Sequence, residues 1–120
     1  MIDKERLIVL FGEWANIMAD QQGYLIELDS VVGDGDLGLT MADGFKAAYE
    51  SAKESQETDI GKMLYNAGKR MAQAVPSTMG TLVASGFMGA GMYCKGKTEL
   101  NLSDFAGCME AFLNGIMNRG

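Results

Sequence analysis

The chain has 120 residues, of which 48% are hydrophobic and 22% are charged, and its formal net charge is −6. This length accommodates one domain or part of one, and the acidic balance argues against nucleic-acid binding, which needs a basic surface. The absence of histidine excludes a Ser-His-Asp triad, so any chemistry must rely on carboxylates, hydroxyls, backbone amides and metals.

Membrane and secretion signals are also missing from the sequence. No apolar run reaches the length of about 20 residues that a membrane span needs, and the charged N-terminus lacks the apolar core of a signal peptide. Cys94 and Cys108 are too few for a disulfide scaffold. We therefore expect a cytoplasmic protein without membrane contact, whose two cysteines are reduced core thiols.

Apolar residues recur at helical spacing through most of the chain. Helices are predicted over about 3–22, 38–55 and 80–93. A third helix, capped by Thr58 or Asp59, is predicted before the last of these, and a fifth helix is capped by Ser103. Asp3 is expected to cap the first helix and Gly23 to end it, and Pro76 is expected to end the third. A short turn is predicted over residues 24–28. No strand pattern competes, so the sequence predicts an all-α protein.

The loop before the second predicted helix is acidic. Asp29, Asp34 and Asp36 place three carboxylates within eight residues, and no Lys or Arg occurs from Leu7 to Phe45. Carboxylates packed together repel one another, whereas a divalent cation with oxygen ligands would stabilise them. Turn and capping aspartates are the alternative. The spacing does not match a calcium-binding loop.

Two helix starts in the sequence are candidates for anion binding. One is the start of the second predicted helix at Gly38, Leu39 and Thr40, and the other is the run Ser77-Thr78-Met79-Gly80. The alternatives are simple helix capping for the first and close helix packing by small residues for the second. Together with the acidic loop, they favour a Mg²⁺-bound polyphosphate and hence phosphoryl transfer.

The acidic motif resembles a known family. Leu28-Asp29-x4-Asp34-Gly35-Asp36-x-Gly38-x-x-Met41, followed by Gly44-Phe45, is similar to the DAK2 (DhaL-type) nucleotide-binding domain of dihydroxyacetone kinases. The loop over 75–82 and the order of the helices agree with the same family. The resemblance implies a barrel of antiparallel helices with its site at one end. Residues 1–120 would form a single, incomplete domain containing about the first five helices.

The resemblance also implies a set of site residues. Asp29, Asp34 and Asp36 would hold two Mg²⁺ ions against the nucleotide phosphates. The ADP or ATP contacts would be Leu37, Gly38, Leu39, Thr40, Ser77, Thr78, Met79, Gly80 and Gly120. No side chain is expected to act as a catalytic acid, base or nucleophile, since the domain positions the metal and the nucleotide.

By the same resemblance, the chain would be the phosphotransferase L subunit of a dihydroxyacetone-type (glycerone) kinase. A separate K subunit would hold dihydroxyacetone, or a similar small ketose or polyol, through a histidine, which fits the absence of histidine here. In one type of system an M-type phosphotransferase subunit rephosphorylates bound ADP, and in the other type ATP exchanges.

The sequence departs from the family pattern at three positions and in length. Leu37 replaces the usual His, Thr40 the usual Asn, and Met79 a phosphate-contacting serine. Family members are longer, and five helices cannot close the barrel. We therefore expect self-association and little kinase activity from this chain alone. The alternatives are a fatty-acid-kinase-like DAK2 domain, a regulatory coactivator module and a structural fragment.

Overall fold

The computed structural model describes residues 1–32 and 37–119. Within them six helices follow in order: α1 (Lys4–Asp20), α2 (Gln22–Val32), α3 (Leu37–Glu54), α4 (Ile60–Ala74), α5 (Thr78–Tyr93) and α6 (Leu102–Arg119). Two short strands, β1 (Ile2–Asp3) and β2 (Glu99–Leu100), pair antiparallel. The predicted all-α class is confirmed. In the described part of the chain, no helix combines the length and apolar character needed to cross a membrane.

Side chains next to the helices account for most of their starts. Asp3 accepts a hydrogen bond from the Arg6 amide at 2.8 Å, and Asp59 accepts one from the Lys62 amide at 3.2 Å. Both satisfy amides that the first turn of a helix leaves unpaired. The predicted cap at Asp3 is therefore confirmed, and Asp59 is the cap of α4.

The start of α6 differs from the prediction. Ser103 lies inside the helix, and the cap is a reciprocal pair in which Asn101 accepts from the Asp104 amide and Asp104 accepts from the Asn101 amide. This second hydrogen bond lowers the pKa of Asp104 below its usual value. Desolvation opposes it, and Lys97 adds a further lowering. Ser103, two positions after Asn101, resembles a cap equally well in sequence.

The sequence pattern predicted too little helix in the segment after α1. The predicted turn over residues 24–28 is a complete helix, α2, and Gly23 lies within its first turn instead of ending α1. A glycine costs a helix only about 1 kcal/mol relative to alanine. Tertiary contact offsets that cost here, because Leu25 packs against the core.

Neighbouring helices from α4 to α6 approach closely at glycines, which lie against large side chains of the next helix. A Cβ added to Gly68 of α4 would lie 3.0 Å from the Phe87 Cβ, and one added to Gly86 of α5 would lie 2.9 Å from the Phe112 ring. Such positions tolerate no side chain without displacement of the neighbour. The small residues of α5 after its first turn therefore serve helix packing, which was one of the two interpretations of that region.

An aromatic cluster joins four helices in the core. The Phe87 ring lies 5.4 Å from Phe11, 5.8 Å from Phe45 and 5.1 Å from Phe112, measured between ring centroids. Trp14 contacts the same ring at 6.2 Å. Phe87 thus connects α5 to α1, α3 and α6, which are distant in sequence.

The two cysteines are buried, as expected, but they are not separate thiols. Cys94 at the end of α5 and Cys108 in α6 are joined in a disulfide, with their Cα atoms 6.6 Å apart. The prediction of two reduced thiols is therefore wrong for this structure. The antiparallel packing of α5 and α6 brings together residues that are 14 positions apart, which spacing alone does not indicate.

An apolar cavity of about 340 Å³ lies between α1 and α6. Its lining includes Trp14 and Ile17 from α1 and Met109 and Phe112 from α6. Ile17 is 55% exposed and Met109 is 50% exposed, so the core is open to solvent on this side. The helices described here therefore leave part of their apolar surface uncovered.

The position of Phe87 predicts a large loss of stability on truncation. Phe87→Ala is expected to lower the free energy of unfolding by about 3–5 kcal/mol, because a buried ring in contact with four others is lost. Urea denaturation followed by circular dichroism measures this. Leu102→Ala is the control, since Leu102 is 85% exposed and should change stability by less than about 0.5 kcal/mol. Equal effects of the two substitutions would contradict the assignment of Phe87 to the core.

Candidate nucleotide and metal site

The starts of α3 and α5 lie at the same end of the bundle. A Cβ added to Gly44 of α3 would lie 3.3 Å from the Val75 Cγ2 atom, and one added to Gly80 of α5 would lie 2.6 Å from the same atom. Val75, which follows α4, is therefore wedged between the two helices. Leu37, the first residue of α3, lies seven residues before Gly44. The start of α3 is therefore about 10 Å along the helix from the contact with Val75.

Asp29 is the predicted metal ligand that the structure describes. It lies on α2, its side chain is partly exposed, and its Oδ2 atom accepts a hydrogen bond from the Leu37 amide at 3.3 Å. This contact joins a carboxylate to the positive end of the α3 dipole, which favours negative charge. The structure thus brings Asp29 to the start of α3, although Asp29 lies eight positions before Leu37 in the sequence.

The four residues predicted at the start of α3 have different environments. Gly38 and Thr40 are buried, with Thr40 only 8% exposed, whereas Leu39 is 51% exposed. Leu37 is partly buried and packs against the core. Of these side chains, Leu39 is therefore the one most open to a ligand, and Thr40 could contact one mainly through its backbone.

The start of α5 combines a cap with exposed residues. The Ser77 hydroxyl accepts a hydrogen bond from the Gly80 amide at 3.1 Å, so its capping role is direct. Thr78 and Met79 are exposed and Gly80 is buried. The first amides of a helix have no partner within it, so the amides of Thr78 and Met79 face the end of the bundle.

Three predicted site residues lie outside the described part of the chain: Asp34, Asp36 and Gly120. Gly120 follows Arg119, the last residue of α6. A Cβ added to Gly86 would contact Phe112, and one added to Gly115 would contact the Ser85 carbonyl oxygen. These contacts show that α6 runs antiparallel to α5, so its end lies toward the start of α5.

A cleft larger than the apolar cavity lies away from this end. It has a volume of about 520 Å³ and polar walls formed by the end of α3 and by α4. An exposed ion pair, Arg70–Glu54 at 2.9 Å, lies on its wall, and such pairs contribute little to stability. Within residues 1–32 and 37–119, no three acidic or cysteine side chains converge as a metal site would require. Cleft size therefore does not identify the site here.

Sequence reasoning missed the role of Val75 and the contact of α2 with the start of α3. Val75 is buried and organises the junction between α3 and α5. Val75 directly precedes Pro76 and the capping serine, and this order of residues could have indicated a short connection between α4 and α5. The position of α2 had no comparable signal, because the sequence predicted only a short turn there.

A helical bundle that presents two helix N-termini and a carboxylate at one end belongs to the class of scaffolds able to bind an anion together with a cation. A family model described as the DAK2 domain matches residues 31–120. Because this match covers well over half of the chain, the chain belongs to the DAK2 domain family. The resemblance seen in the acidic motif is confirmed.

Relatives of known function include subunits of dihydroxyacetone kinases. The ADP-binding subunit DhaL of PEP-dependent dihydroxyacetone kinase 2 from Listeria innocua is 30% identical over 106 residues, covering 87% of this chain and 49% of that protein. The ADP-binding subunit DhaL of the PEP-dependent dihydroxyacetone kinase from Escherichia coli is 29% identical over 119 residues, covering 99% and 57% respectively. The chain therefore spans about half the length of these two relatives.

A shorter match concerns a different kinase. A D-erythrulose kinase from Mycolicibacterium smegmatis is 38% identical over 74 residues, which are 60% of this chain and 13% of that protein. The names of all three relatives refer to kinases that act on small ketoses, and those of the two DhaL subunits also refer to ADP binding.

The capping role of Ser77 can be tested through stability alone. Ser77→Ala is expected to lower the free energy of unfolding by about 1 kcal/mol, because the Gly80 amide loses its acceptor, whereas Ser77→Gly should cost only a few tenths. Urea unfolding curves of the two variants measure the difference. Equal losses in both, or no loss in either, would show that the hydroxyl does not cap α5.

Proposed function

We propose that this chain is the nucleotide-binding part of a dihydroxyacetone-type kinase. One observation carries the proposal: the Asp29 carboxylate lies at the first amide of α3, at the end of the bundle where α5 also begins. Helix N-termini attract phosphates, and carboxylates hold the divalent cation that accompanies them. The ADP-binding subunits among the relatives support the same function.

Magnesium fits the donors at this end. In the proposed site, Asp29 supplies carboxylate oxygen from α2, and Asp34 and Asp36 supply it from the segment that joins α2 to α3. Oxygen donors of this kind suit Mg²⁺, and two such ions would neutralise the charge that builds up on transferring phosphate oxygens. The residues of this chain hold and orient the metal and the nucleotide, and no side chain acts as acid, base or nucleophile.

The nucleotide contacts follow from the two helix starts. The amides at the start of α3 and those of Thr78 and Met79 would contact parts of one extended ligand, since the α3 start lies about two turns beyond Val75. Leu39 and Met79 are exposed enough to pack against such a ligand. Gly120, which follows α6 in the sequence, would add a backbone contact. Thr40 is buried, so its difference from the family pattern affects the proposed site little.

The acceptor and the partners are part of the same proposal. A K-type subunit would hold dihydroxyacetone or a similar small ketose, and an M-type phosphotransferase subunit would recharge ADP where the system depends on phosphoenolpyruvate. The names of the relatives support both, because they describe subunits of PEP-dependent dihydroxyacetone kinases and a D-erythrulose kinase. We also propose that the chain associates with itself or with further helices, since the cavity between α1 and α6 is apolar and open.

Calorimetric titration with ADP tests the site. ADP is expected to bind in the presence of Mg²⁺, and Asp29→Asn or Asp34→Ala should weaken it by at least about tenfold, equivalent to about 1.4 kcal/mol. Asp43→Asn is a matched control, because it makes the same charge change as Asp29→Asn at an exposed position on α3. Equal ADP affinity with and without Mg²⁺ in wild type and in both site variants would refute the metal-dependent site.

A phosphorylation assay tests the extent of the functional unit. The 120-residue chain mixed with a K-type subunit, ATP and dihydroxyacetone is expected to form little product, because it spans about half of its DhaL relatives. A full-length DhaL subunit in the same assay is the positive control. Comparable rates from the two would show that these helices suffice for transfer.

A further inference from the structure

Gly38 lies at the contact between α2 and the start of α3. A Cβ added to Gly38 would overlap the Gln22 carbonyl oxygen and would lie 2.8 Å from the Ile26 Cγ1 atom and 3.1 Å from the Ile26 amide nitrogen. The first of these neighbours is backbone, which cannot rotate away as a side chain can. The two helices therefore approach each other here as closely as a residue without a side chain allows.

This contact is important because α2 has few other attachments. None of its side chains from Gln22 to Ser30 is fully buried, and Leu25 and Ile26 are its partly buried apolar residues. Two turns after Gln22 along the same helix, Asp29 accepts the hydrogen bond from the Leu37 amide. One end of α2 thus rests on Gly38, and the other end presents the carboxylate to the residue just before Gly38.

We infer that Gly38 is a positioning residue, which sets the position of the Asp29 carboxylate relative to the first turn of α3. This inference rests on the proposed function, because the carboxylate is assigned there to the metal. A side chain at Gly38 would push α2 away from α3 and carry Asp29 with it. The glycine in the motif then acts through helix packing, in addition to any contact that its backbone makes with the nucleotide.

The chain offers two matched controls for Gly38→Ala. Gly23 lies on α2, and a Cβ added there would meet nothing within 4 Å. Gly61 at the opposite end of the bundle has the same kind of restriction as Gly38, because an added Cβ would overlap the backbone of Lys95 and Gly91. Gly23→Ala shows the effect of a methyl group added to α2 without a collision. Gly61→Ala shows the effect of a collision between two other helices, away from Asp29.

The first test is titration of the folded chain with Mn²⁺ and ADP, with metal binding followed directly by electron paramagnetic resonance. Gly38→Ala is expected to weaken Mn²⁺ binding by about 10–100-fold, the effect usual for groups that orient a metal ligand. The Mn²⁺ affinities of Gly23→Ala and Gly61→Ala should stay within about twofold of wild type, since neither substitution changes the contact between α2 and α3. Wild-type affinity in Gly38→Ala, or an equal loss in Gly61→Ala, would overturn the inference.

The second test does not depend on ligand binding. Amide hydrogen exchange at Leu37 should be faster in Gly38→Ala than in wild type and unchanged in Gly23→Ala, because the acceptor on Asp29 moves away. If wild type binds no Mn²⁺-ADP, the proposed function fails, and hydrogen exchange at Leu37 alone decides whether Gly38 positions Asp29.

If Gly38→Ala does not fold, Ile26→Ala replaces it, because the loss of the Ile26 side chain loosens the same contact without a collision. Unchanged exchange at Leu37 in Ile26→Ala would then overturn the inference.

Discussion

Close approach of helix backbones is the constraint on which the rest of this structure depends. Between α4 and α5 at Gly61, between α5 and α6 at Gly115, and between α2 and α3 at Gly38, an added Cβ would collide with the backbone of the neighbouring helix. Helices at this separation bring large side chains such as Phe87 into contact with several elements at once. They also permit a very short connection at Val75, which places the starts of α3 and α5 at one end of the bundle.

The electrostatics of that end follow from its geometry. Helix starts carry partial positive charge, and Asp29 places a carboxylate against one of them. The sequence around this carboxylate is acidic and lacks Lys and Arg from Leu7 to Phe45. An anionic ligand would therefore need a cation beside it, because the backbone dipoles alone supply only fractional charge. Membership of the DAK2 domain family, with ADP-binding subunits among the relatives, supports the proposal of a nucleotide site at this end.

Much of the fold could be predicted, because it depends on local patterns. Helical periodicity located five of the six described helices, and Asp3 and Asp59 were recognisable caps. The prediction was wrong for α2, where glycine suggested an end but packing against α3 stabilises a full helix. It was also wrong for Cys94 and Cys108, which are joined because α5 and α6 run antiparallel. The pairing of β1 with β2 was missed since each strand has only two residues.

The sequence by itself determined the helical class and the family, because periodicity and the acidic motif are properties of neighbouring residues. It also indicated Asp29 and the two helix starts as candidate site residues. Only the tertiary structure decided that Asp29 reaches the Leu37 amide and that Thr40 is buried. Those facts depend on how closely α2, α3 and α5 pack, and such distances are set by contacts between residues far apart in the chain.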